Sequence, residues 1–81
     1  HNFNRINNPA GLNLEDLNSK MGLKITQREF DILSEIYRGK SNKQICAILD
    51  ISENTTKYHI KNLYSKFHVG SRTELLARLI N

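Results

Sequence analysis

Apolar positions along this chain recur mostly at intervals of three and four, the spacing of one helix face, and no stretch alternates as a half-buried strand would. Leu14, Leu17 and Met21 open the pattern. Preceded by Asn13, a favoured N-cap, and followed by Gly22, they predict a short helix over Leu14–Met21 that packs on the domain or joins it to another. From Ile25 onward the helix starts crowd together. Thr26-x-x-Glu29, Ser41-x-x-Gln44 and Ser71-x-x-Glu74 each fit the capping box. In that motif a hydroxyl accepts from the N3 amide while the N3 side chain reaches back to the cap. Ile25 and Phe30 stand at the spacing of a hydrophobic staple, and Ser52 is a simple N-cap.

With stops at Gly39, at the Asp50–Ile51 turn and at Gly70, these starts predict helices over 27–38, 42–49, 53–67 and 72–80. Glu29, Ile32, Leu33 and Ile36 share a face of the first, Ile45, Cys46 and Leu49 of the second, and Thr56, Ile60, Leu63 and Phe67 of the third. Glu29 on an apolar face needs partners, and its capping contact and Arg72 are the expected ones. The predicted class is all-α, a compact four-helix helix-turn-helix domain over residues 25–81. Residues 1–24 form a tail or linker with the short extra helix, and His1 to Gly11, rich in asparagine and holding the only proline, is expected to carry little structure.

Composition narrows the function. Eighty-one residues with 38% hydrophobic and 25% charged side chains allow one small core, burying roughly 60–65% of the unfolded chain's surface. A large catalytic cleft does not fit that size. No apolar run spans a bilayer or resembles a signal-peptide core, so no membrane partner and a cytoplasmic location are expected. The opening at His1 rather than methionine predicts a fragment of something longer. Cys46 is the single cysteine, and His1, His59 and His68 share no ligand spacing with it or with each other. No metal site, disulfide or cofactor is therefore predicted. Catalytic inventory is equally thin: there is no nucleophile with a supported base and no glycine-rich phosphate loop. A net charge of +4 favours an anionic partner without choosing it.

The joint between the second and third of these four helices is more specific. Asp50-Ile51-Ser52 suits a helix-turn-helix corner, which exposes one face of the following helix. On a helical wheel Asn54, Tyr58, Lys61 and Ser65 lie opposite the core stripe, Lys57 and Asn62 lie at its margins, and Glu53 falls toward the core side. A fifteen-residue helix about 22 Å long fits a major groove about 12 Å wide. Ser41, Asn42 and Lys43 open the preceding helix, where free amides, the dipole and a lysine suit a phosphate.

Several motifs then carry a family resemblance. Ile25-Thr26-x-Arg28-Glu29, Gly39-x-Ser41-Asn42-Lys43-x-Ile45, Ile51-Ser52-Glu53-x-Thr55-x-Lys57-x-His59, and Lys66, Val69 and Ser71-Arg72-Thr73-Glu74-Leu75 together resemble the LuxR-type (GerE-like) DNA-binding domain of bacterial transcriptional regulators. The resemblance covers about residues 25–80. It implies a four-helix domain that binds double-stranded DNA as a homodimer on an inverted repeat, with RNA polymerase as a candidate further partner. By position it makes Lys57, Tyr58 and Lys61 base readers, and Ser41, Asn42, Lys43 and Thr55 phosphate contacts. Leu75, Leu76 and Leu79 become the dimer surface, consistent with an apolar arc of about 140° on the last helix. The chain departs from the family's usual residues at Cys46, Thr56 and Phe67-His68. His59, flanking the core stripe, is expected to be packed and hydrogen-bonded. Two rivals stay open: a helical protein-interaction module with a basic face, and the promoter-reading domain of sigma factors.

Overall fold

A computed structural model of the protein describes residues 13–80, so the expected unstructured stretch His1–Gly11 lies outside the described residues. Cap chemistry sets the helix boundaries. α1 (Leu14–Met21) starts where the Asn13 side chain accepts from the Asp16 N–H and ends at Gly22, whose φ of 65° is left-handed. α2 (Gln27–Tyr37) and α3 (Asn42–Leu49) both start with complete capping boxes. α2 ends one residue earlier than expected because Arg38 serves as its C-cap. α4 (Glu53–Phe67) starts at Ser52 and α5 runs over Arg72–Ile80. The described residues are thus all-helical.

Two expected boundary features shift. α4 is stopped by His68, which adopts φ 58° and directs its N–H back to Ser65 and Tyr64 carbonyls, rather than by Gly70. Glycine and asparagine tolerate that left-handed region better than histidine does. In the third capping box Ser71 Oγ accepts from the Glu74 N–H at 3.2 Å, but Glu74 Oε1 accepts from Gly70 N–H at 2.6 Å, one residue before the cap.

α4 is the organising helix, packed on α2, α3 and α5. Its stripe of Thr56, Ile60, Leu63 and Phe67 is buried and meets Ile32, Leu33 and Ile36 of α2, Ile45 of α3 and Leu75 of α5 in one core. Each such aliphatic or aromatic side chain contributes roughly 1.5–3 kcal/mol relative to exposure. Leu14, Leu17 and Leu23 pack against this core from the α1 side, whereas Met21 is exposed. Asn18 fixes the connection, accepting from the Ile25 N–H at 2.8 Å and donating to the Ile25 carbonyl at 3.1 Å. α1 therefore packs on the core of the other four helices.

Glu29 is buried, as the pattern implied, but its partner is Lys66 and not Arg72. Lys66 Nζ lies 2.6 Å from Glu29 Oε1 and donates to the Lys24 carbonyl at 2.8 Å. One ammonium joins the end of α4 to the start of α2 and the chain before it. Burial alone would push the Glu29 carboxyl up. The Lys66 and Thr26 hydrogen bonds and the nearby positive charge of Lys66 outweigh that and hold it below its ordinary value.

Candidate nucleic-acid interface

The corner between α3 and α4 is held from both sides. Asp50 takes φ 57°, a conformation aspartate tolerates better than most residues. Its N–H and that of Ile51 both return to the Cys46 carbonyl. Across the corner, Thr56 is fully buried and donates to the Ser52 carbonyl at 3.0 Å. Its Oγ1 also lies 3.5 Å from Cys46 Sγ, which in turn donates to the Asn42 carbonyl at 3.0 Å. Cys46 and Thr56, two of the three departures from the resemblance, therefore touch each other, and the thiol and hydroxyl are satisfied locally.

This corner projects one face of α4 outward. Asn54, Lys57, Tyr58, Lys61 and Ser65 are exposed and Asn62 is half-buried. Tyr58 is 62% exposed. Lys57 and Lys61 form no ion pair among the described residues, so both charges are free for an external anion. Glu53, expected toward the core, is exposed in the first turn. His59 is half-buried with its ring 5.5 Å from that of Tyr58 at an interplanar angle of 65°. Contrary to expectation, its Nδ1 is buried and has no hydrogen-bond partner among the described residues.

The start of α3 adds a second set of donors. A helix leaves its first four N–H groups without intrahelical partners. Ser41 N–H donates to Gln44 Oε1 at 2.8 Å and Gln44 N–H to Ser41 Oγ at 3.2 Å, which leaves the amides of Asn42 and Lys43. Lys43 is exposed and outside every ion pair among the described residues. The Asn42 side chain, in contrast, is engaged: its Oδ1 accepts from Arg72 Nη1 at 3.0 Å. Thr55, exposed in the first turn of α4, accepts from Ser52 Oγ at 2.9 Å, so its own hydroxyl proton is left to give.

On α5 the three leucines separate. Leu75 has no exposed surface and belongs to the core, so it presents nothing to a second subunit. Leu76 and Leu79 are half-buried against that core. From the sequence Lys66 has no assigned structural role, and Arg72 is expected to meet Glu29 rather than Asn42. Lys66 supports Glu29 across 37 positions and Arg72 supports Asn42 across 30, separations at which no spacing rule applies. Among the described residues no cluster of His, Cys, Asp and Glu could hold a metal ion, and no helix is long and apolar enough to cross a membrane.

Comparison with known proteins adds to this geometry. Residues 23–79 match the family described as "Bacterial regulatory proteins, luxR family". The chain is 47% identical over 62 residues to the uncharacterized transcriptional regulatory protein YhcZ of Bacillus subtilis, covering 76% of this chain and 29% of that protein. It is 54% identical over 48 residues to the nitrate/nitrite response regulator protein NarP of Escherichia coli, covering 59% and 22%. It is also 48% identical over 50 residues to the HTH-type transcriptional regulator MalT of Vibrio cholerae, covering 62% and 6%. The chain thus spans less than a third of the length of each of these relatives.

Proposed function

Because the chain belongs to the luxR family of bacterial regulatory proteins, we propose that it reads duplex DNA by sequence for a transcriptional regulator, as a dimer on an inverted repeat. The observation that carries this reading is the outward face of α4, with Lys57, Tyr58 and Lys61 exposed and both lysines unpaired, set beside the open amides at the start of α3. In this reading α4 enters the major groove. Lys57, Tyr58 and Lys61 meet base edges there, and a lysine aimed at the acceptors of guanine discriminates by roughly 1–3 kcal/mol. Ser41, Lys43, Thr55 and the Asn42 amide hold phosphates, which orient the domain without reading sequence. Leu76 and Leu79 supply the apolar contact between two copies. The similarity to NarP, named as a response regulator, supports a place behind a signal-receiving domain in a longer, cytoplasmic protein.

The test is selection of bound duplexes from a random pool by the domain, beside a Lys57→Ala/Lys61→Ala variant, at two salt concentrations. Enrichment of an inverted repeat by the native domain alone supports groove reading by α4 and gives the operator. Salt-sensitive binding to every duplex with no enrichment would overturn it, and a basic protein-interaction module would take its place.

A further inference from the structure

Arg72 is not among the residues proposed to meet DNA, yet it is the side chain that spans from α5 to the α2–α3 turn. We propose that Arg72 is a positioning residue for DNA binding, one that fixes the phosphate-holding start of α3 against the rest of the domain; the proposal rests on the DNA-binding reading. The need for such a tie follows from α3 itself. Eight residues cannot sustain a helix alone, and Ile45 is its one buried residue. Its capping box fixes the shape of its first turn but not where that turn sits. The approach runs through Gly39, at φ 85°, and the Gly39 and Lys40 N–H groups bond back to the Ile36 and Glu35 carbonyls of α2, so the backbone ties of the turn stop short of Ser41.

Arg72 supplies the missing constraint. Nη1 donates to Asn42 Oδ1 at 3.0 Å and Nη2 donates to the Lys40 carbonyl. The two acceptors flank Ser41, the N-cap, so a single planar guanidinium grips the turn on both sides. Arg72 is half-buried and is reached from the first residue of α5, whose anchor is the fully buried Leu75. A rigid fork fixes distance and orientation together, which a lysine donating from one point cannot do. The amides of Asn42 and Lys43 and the Lys43 ammonium are thereby presented in one fixed pose, and a displacement of about 1 Å suffices to spoil charge-assisted bonds to a phosphate.

The experiment uses the whole chain and a fluorescent 30-base-pair duplex of mixed sequence, with binding followed by anisotropy over a salt series. Variants are Arg72→Met, Arg72→Lys, Lys43→Ala, Lys61→Ala and the doubles with Arg72→Met. The expected result is that Lys43→Ala weakens binding by at least about threefold less in the Arg72→Met background than in the native one, while the Lys61→Ala effect is unchanged. Arg72→Lys does not restore the native Lys43 effect. In the absence of DNA, hydrogen exchange at the Ser41 and Gln44 amides speeds up in Arg72→Met while the Ile60 and Leu63 amides keep their protection. Asn42→Ala, which removes one of the two grips, serves as the second variant if Arg72→Met does not fold, and it should show the same reduced Lys43 effect. Additive effects of the Lys43 and Arg72 changes, or unchanged exchange at Ser41 and Gln44, overturn the proposal. Failure of the native chain to bind the duplex in a salt-dependent way would instead remove the DNA reading, and the positioning role of Arg72 with it.

Discussion

Replacing Lys66 by methionine keeps most of the apolar stem and removes the ammonium that joins α4 to α2. Two interactions go: the 2.6 Å contact with Glu29 and the 2.8 Å bond to the Lys24 carbonyl. The Glu29 side chain, 5% exposed, is left with the Thr26 N–H as its remaining hydrogen-bond donor. Stranding one member of a fully buried pair costs about 3–5 kcal/mol. The Lys66 side chain is 31% exposed, so water recovers part of this and about 2 kcal/mol is expected. For a domain of this size that lowers Tm by roughly 8–16 °C.

The pH dependence isolates the charge. In the native domain Glu29 lies below its ordinary value of 4.5. A lowered carboxylate contributes stability that is complete above the unfolded-state value and is lost as pH falls through the folded-state value. Without Lys66, burial again dominates and the folded-state value rises, so ionised Glu29 becomes a cost that protonation relieves. The deficit of Lys66→Met is therefore largest at pH 7 and shrinks at pH 3. Adding Glu29→Gln to Lys66→Met should recover part of the loss at pH 7, because a neutral amide replaces the stranded charge. Urea unfolding followed by circular dichroism measures all of these. A loss under about 0.5 kcal/mol at pH 7, or an equal deficit at pH 3, would refute the assignment of Lys66 to the Glu29 charge.

Other outcomes follow from the same geometry. His68→Gly should stabilise the domain by about 0.5–1 kcal/mol in urea unfolding, since His68 holds φ 58° at a cost glycine avoids. Cys46→Ala and Thr56→Val should each cost about 1 kcal/mol while the double variant costs less than their sum, because the two side chains meet at 3.5 Å; strict additivity would count against a shared contact. On DNA, Lys43→Ala should weaken binding to every sequence and lower the slope of log K against log salt by about one per subunit. Lys61→Ala should cost roughly 1–3 kcal/mol per half-site on the selected operator and relax one base position; equal losses on all duplexes would make Lys61 a phosphate contact.

Helix starts were legible because capping is local. Asn13, Thr26, Ser41 and Ser52 each accept from an amide three positions on, a relation written into four consecutive residues. Where the sequence misled, the deciding contact lay far along the chain or depended on how helices meet. The predicted end of α4 at Phe67 holds, but glycine chemistry pointed to Gly70 as the stop signal beyond it. The chain instead turns at His68, directly after Phe67 fills its place in the core. The apolar arc of α5 could not say which leucine faces inward. Packing on α2 and α4 selects Leu75 and leaves Leu76 and Leu79 nearer the surface.

The cations show the same division more sharply, and it bears on how the candidate site is built. Lys43, Lys57, Lys61, Lys66 and Arg72 belong to one basic excess, and no composition argument separates them. Burial does: Lys66 and Arg72 are half-buried and bound to oxygen atoms of the domain itself, while the other three are exposed. The half-buried pair fixes the ends of α4 and α3, and the exposed three stand on the surfaces those ends present. On α4 the separation is complete, since the buried stripe from Thr56 to Phe67 and the outward residues Tyr58 and Lys61 share a helix but not a face. Substitutions on the outward face therefore leave the core contacts intact, so under the proposed reading base preference can change without loss of the fold, whereas a change at Arg72 or Lys66 acts through the position of a helix.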